Sequence, residues 1–215
     1  MALIELMHIL VLVYWLGGDL GAFVASRLVA DPERAPAGRA AAAKILMDVD
    51  MAPRMALIFA FPTGFALAVY EGWLMISTVW IAPAFALALV WAIAAWMVHL
   101  KAGPDGLARR IDMAIRLAAL LALTGAGAAG MLGVIALPLF IAGKLLLLAL
   151  AVFAGLMIRR ALAPFGPAFG RIAAGQGDED AETAVGASLA HARRWVFVIW
   201  AAVLGAAALG VLHPV

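Results

Sequence analysis

Three side chains of this sequence are of an unexpected type for their surroundings. His8 stands in Glu5-Leu6-Met7-His8-Ile9-Leu10, Asp19 follows Leu16-Gly17-Gly18, and Lys144 interrupts Leu137-Pro138-Leu139-Phe140-Ile141-Ala142-Gly143-Lys144-Leu145-Leu146-Leu147-Leu148. A neutral imidazole and a neutral amine are nitrogen donors able to hold a metal centre, and a carboxyl can pass a proton. His8, Trp15 and Asp19 are separated by seven and four residues, which puts them on one face of a helix, with Ser26 further along and Glu5 at its edge. The chain has no cysteine, so disulfides, iron–sulfur clusters, covalent c-type haem attachment and thiolate metal sites are excluded. There is no Gly-rich phosphate loop, no His-Glu-x-x-His pattern and no Ser-His-Asp set, leaving nucleotide hydrolysis and proteolysis without support.

The elements that must position these groups follow from composition. Of 215 residues 67% are hydrophobic and 13% charged, with a mean hydropathy of +1.08, which excludes a water-soluble domain, a disordered chain and a coiled coil. The expected fold class is all-α, a polytopic membrane helix bundle forming a single transmembrane domain over 1–215. Apolar stretches long enough to cross the hydrocarbon lie near 3–28, 51–71, 78–100, 113–135, 137–162 and 194–213. Breakers mark the joints at Asp31-Pro32-Glu33, Gly103-Pro104-Asp105-Gly106 and Gly175-Gln176-Gly177-Asp178, and Pro62 inside the second span predicts a bend near Phe61. Every lysine and arginine except Lys144 falls in segments 27–54, 99–116 or 159–194, which lie on one side of a six-span chain. The positive-inside rule makes that side cytoplasmic and both termini external, in a multi-pass protein of the bacterial cytoplasmic (inner) membrane. The first span has no basic leader and no cleavage site, so it reads as an uncleaved anchor. The pI near 9.4 reflects this topology and not a nucleic-acid partner.

Depth then brings two of the unusual residues together. At about 1.5 Å per residue, Lys144 lies roughly 10 Å and His8 roughly 8 Å below the outer boundary, so they can meet within the bundle. The plainer readings are a lysine that snorkels to the headgroups and a histidine that only packs. His99 and His191 fall at the opposite helix ends, and His213 is a terminal residue that could join the outer site. Asp19 is expected to pair with Arg54 or to stay protonated. Met47, Met51 and Met55 form a stripe that could pass copper, or merely fill space. Segment 166–193 is either a solvated linker or a short interfacial helix opening at Asp178-Glu179-Asp180. Gly125, Ala129 and Gly133, and Ala206 with Gly210, are expected to permit close helix approach within the bundle or in a homo-oligomer.

His8 followed by Trp15-Leu16-Gly17-Gly18 resembles the first helix of the CopD/HemJ superfamily of bacterial membrane proteins, and Lys144 to Leu148 with Ile158-Arg159-Arg160 resembles its later Lys-Leu helix. Met51-Ala52-Pro53-Arg54-Met55 and Arg193-Arg194-Trp195 are similar to two further helices, so the likeness covers roughly the first seventy and last eighty residues, with helices three and four as an inserted pair. The HemJ side of the resemblance implies haem b held by His8 and Lys144 and oxidation of protoporphyrinogen to protoporphyrin. For a haem-binding membrane oxidoreductase or electron carrier, Trp15 is expected to pack on the ring and Asp19 to act as a catalytic proton relay, with a small redox-active substrate or quinone as partner besides membrane lipid. Gly17-Gly18 and the number of helices lean toward CopD, which implies copper uptake; by ligand type, His8, Met7 and the methionine stripe are the residues that could handle the ion. Ser26-Arg27 lacks the proline that precedes the HemJ arginine.

Overall fold

The computed structural model describes residues 1–100 and 106–212; it is 86% helical, and no strand occurs among the described residues. The helices are α1 (Ala2–Ala30), α2 (Pro36–Val49), α3 (Met51–Tyr70), α4 (Ile81–Leu100, entered through a short 3-10 turn at Thr78–Trp80), α5 (Leu107–Met131), α6 (Leu139–Ala161), α7 (Phe165–Ala173) and α8 (Glu179–Leu212). Six helical stretches are long and apolar enough to cross a membrane, with α2 and α3 counted together as Pro36–Tyr70. This is the architecture of a multi-pass membrane protein. The fourth span differs from expectation, beginning earlier at Leu107 and stopping at Met131.

That early stop has a local cause. Gly133 adopts φ 70°, and the Val134 and Gly133 amides return to the carbonyls of Ala129 and Gly130, closing the helix with the two hydrogen bonds of a left-handed C-cap. Gly133 is therefore a cap and not the packing residue expected from its spacing with Gly125, which has open space around it. The close approach falls instead at Gly127 and Gly130, where a β-carbon would collide with Leu146 and with Leu137 and Ala142. Neither Gly125 nor Gly133 makes the expected close contact within the described residues.

The chain forms two compact units. The first comprises the described parts of Met1–Trp15, Arg54–Val152 and Ala202–Val215; the second comprises Leu16–Pro53 and Phe153–Ala201. In the first, Gly143 faces Leu209 and Gly205 faces Leu147, which lets α6 and α8 pack closely. Trp73 meets Phe140 edge-on at 5.1 Å beside the buried Ala68 and Ile141. Trp91 on α4 donates from Nε1 to Asp112 Oδ1 at 3.0 Å, and Arg116, one turn along α5, contacts both oxygens of the same carboxylate at 3.1 Å. That triad removes two charges from the apolar interior by pairing them.

The second unit holds a core that hydropathy alone does not reveal. Val29, Ala42, Ala43, Ala168, Ile172, Ala181, Val185 and Leu189 pack together, joining the end of α1 to α2, α7 and the start of α8. Arg39, 2% exposed, fastens it: Nε donates to the Val29 carbonyl at 2.9 Å, and Nη1 and Nη2 donate to Glu182 Oε1 and Oε2 at 2.7 and 2.8 Å. Asp178 caps α8 by accepting from the Ala181 amide at 2.8 Å and binds Arg171 at 2.8 Å. The polar segment before the last span does open a helix at Asp178-Glu179-Asp180, as expected, but that helix is not a separate short one. From Glu179 it is α7's neighbour and the first part of a continuous 34-residue α8.

Candidate functional site

His8 sits on the first half of α1, where it is half-buried. Its Nδ1 lies 2.9 Å from Thr63 Oγ1 of α3, and Thr63 is fully buried. A threonine hydroxyl has one proton, and that of Thr63 points to the Phe59 carbonyl at 2.7 Å, shared with Ala60 at 3.2 Å. With its proton given to Phe59, the hydroxyl is set to accept from His8, an arrangement that favours the tautomer protonated on Nδ1. The consequence is chemical: Nε2 keeps its lone pair, with no hydrogen-bond partner among the described residues. Gly64 completes the seat, since a β-carbon there would stand 3.2 Å from His8 Cε1.

Lys144 on α6 belongs to the same unit and is close enough to His8 for the two side chains to interact electrostatically. Its Nζ lies where a β-carbon of residue 210 would be, so the ammonium rests against the α8 backbone at Gly210. Ala206 and Gly210, read as a packing pair, thus have a different use at the second position. The Phe140 ring centroid is 5.9 Å from Nζ, and no carboxylate pairs with Lys144 among the described residues. Trp15, 4% exposed, is buried in this unit too.

Asp19 falls in the other unit. It is 7% exposed, its neighbours include Asp50 and the Trp200 indole, and neither Asp19 Oδ2 nor Trp200 Nε1 completes a hydrogen bond among the described residues. Ser26 is also buried there, donating to the Phe23 carbonyl at 2.7 Å and accepting from Arg193 Nη1 at 3.5 Å. The helical face drawn through His8, Trp15 and Asp19 is thereby divided between two environments.

The remaining candidates are scattered. Among the described residues no group of three or more His, Asp or Glu side chains could hold a metal ion. Met47 is 54% exposed while Met51 is 4% exposed, so the methionine stripe offers no common surface. His99 packs edge-on against Trp96 at 5.6 Å, His191 lines a groove described below, and His213 lies outside the described residues. Sequence reasoning passed over Thr63 and Gly64, although Pro62-Thr63-Gly64 is a break in an apolar helix, and over Asp112 with Arg116, whose four-residue spacing was a legible ion-pair signal. No family model matches the chain, and no curated protein or solved structure matches it either.

Proposed function

We propose that this chain is a haem b-binding membrane redox protein in which His8 and Lys144 supply the axial nitrogens. The observation that carries the reading is the Thr63 hydrogen bond, which leaves His8 Nε2 as a lone-pair donor in the same unit as an uncompensated lysine. The donor chemistry fits: imidazole is the commonest axial ligand of haem iron, and an amine donates once it has released its proton. No carboxylate among the described residues holds that proton on Lys144. Glycines at positions 64 and 210 keep side-chain carbon away from both donors. When bound, haem supplies one-electron redox chemistry at a potential tuned by its axial ligands and their apolar surroundings.

The chain's own groups have separable tasks in this reading. Thr63 orients the imidazole and fixes its proton, as outer partners of metal-bound histidines do. Trp15 supplies an apolar wall. Asp19, buried in the other unit with an unpaired oxygen, is the group able to hold or release a proton when a small redox-active substrate or quinone reacts. The basic segments 27–54, 99–116 and 159–194 face the cytoplasm of a bacterial cell and both termini face outward, by the positive-inside rule.

The test is a spectrum. The detergent-purified protein is expected to carry stoichiometric iron and a Soret band, and His8→Ala to lose both while still inserting into the membrane. Wild-type protein with neither iron nor a Soret band overturns the reading, and copper in its place would transfer the site to copper handling.

A further inference from the structure

A second feature is independent of His8 and Lys144. Met157, Arg160 and Ala161 at the end of α6, Pro164 at the entry to α7, and His191 and Trp195 on α8 line a groove of about 450 Å³ in the second unit. Met157, Arg160 and Ala161 share one face of α6, and His191 and Trp195 are one turn apart on α8. Trp195 is held against Phe153, one turn before Met157, by an edge-on contact of 5.8 Å between ring centroids. The groove therefore has an apolar wall of Met157, Ala161 and Trp195 and two nitrogen-bearing side chains, Arg160 and His191, at its edge.

Those two groups are uncommitted. Elsewhere in the unit Arg34 pairs with Asp31, Arg39 with Glu182 and Arg171 with Asp178. Arg160 and His191 have neither an ion pair nor a hydrogen bond among the described residues. Position adds to this. Arg160 comes where the apolar run of α6 gives way to Arg159-Arg160, and Trp195 follows Arg193-Arg194, so the groove sits at the level where a membrane helix passes from hydrocarbon to headgroups. A cation beside an apolar slot with a tryptophan at that level is complementary to an amphiphile with an anionic head.

We propose that this groove binds an anionic phospholipid, with the phosphate at Arg160 and His191 and an acyl chain along Met157, Ala161 and Trp195. Phosphate recognition by a guanidinium is shared with soluble phosphate esters, and the apolar wall favours the lipid.

The experiment uses the full chain in zwitterionic micelles and reads Trp195 fluorescence as the difference between wild type and Trp195→Phe. Phosphatidylglycerol with brominated acyl chains is expected to half-quench that signal at about fivefold lower concentration than brominated phosphatidylcholine, the preference one surface cation confers. Arg160→Gln is expected to abolish the preference, Arg160→Lys to retain it, and His191→Gln to reduce it, each with an unchanged size-exclusion profile. Equal quenching by the two lipids overturns the proposal, as does a preference that survives in Arg160→Gln. Displacement of the brominated lipid by an equal concentration of inorganic phosphate would overturn the lipid as occupant.

Discussion

Arg39 and Lys144 are both cations placed among apolar residues, one in each unit, and the chain has dealt with them in opposite ways. Arg39 is 2% exposed and has its charge answered by two carboxylate oxygens and a backbone carbonyl. Lys144 has an aromatic ring at 5.9 Å, a bare backbone at Gly210 and a histidine for an electrostatic neighbour. A side chain kept for architecture is satisfied by its surroundings, because an unanswered charge is expensive in a low-dielectric medium. A side chain left unanswered in such a medium costs stability and is retained for what it does. On the proposed function, the pair contrasts a basic residue kept for architecture with one kept for a ligand.

The comparison makes predictions of opposite sign. Glu182→Ala is expected to destabilise the protein by about 3 kcal/mol, the lower end for breaking a buried ion pair because Glu182 remains one-third exposed. Thermal denaturation in detergent reads this, and an unchanged midpoint would remove Arg39 from the structural class. Lys144→Leu is expected to stabilise by about 2.5 kcal/mol, the insertion cost of an intramembrane lysine, while abolishing pigment. Loss of stability on this substitution would mean that Lys144 is answered after all. Thr63→Val has the smallest effect, about 1 kcal/mol, by leaving an imidazole N–H without its acceptor. Its sharper readout is a shifted redox potential with the pigment retained, since the second nitrogen still binds but its orientation is no longer fixed.

Hydropathy made the membrane spans legible because a helix crossing hydrocarbon needs a long apolar run, and charged or Gly-Pro breakers interrupt such runs sharply. The same logic hid the core of the second unit. Ala42, Ala43, Ala168 and Ala181 are buried yet carry too little side chain to raise local hydropathy, so α2 and α7 read as loop. Small-residue spacing is also degenerate within a turn, which is why Gly125 and Gly133 stood out while Gly127 and Gly130 make the contacts. His8 and Lys144 were conspicuous as polar residues in apolar runs. Thr63 was not, because a threonine is unremarkable in a helix and its partner lies 55 residues away.

One last consequence belongs to α8. Between Glu182 and Trp200 it runs unbroken through the second unit, about 27 Å at 1.5 Å per residue, and carries the Arg39 clamp, the groove residues His191 and Trp195, and the indole beside Asp19 on a single rod. The spacing between the clamp, the groove and the indole is thereby set by one helix and by no loop.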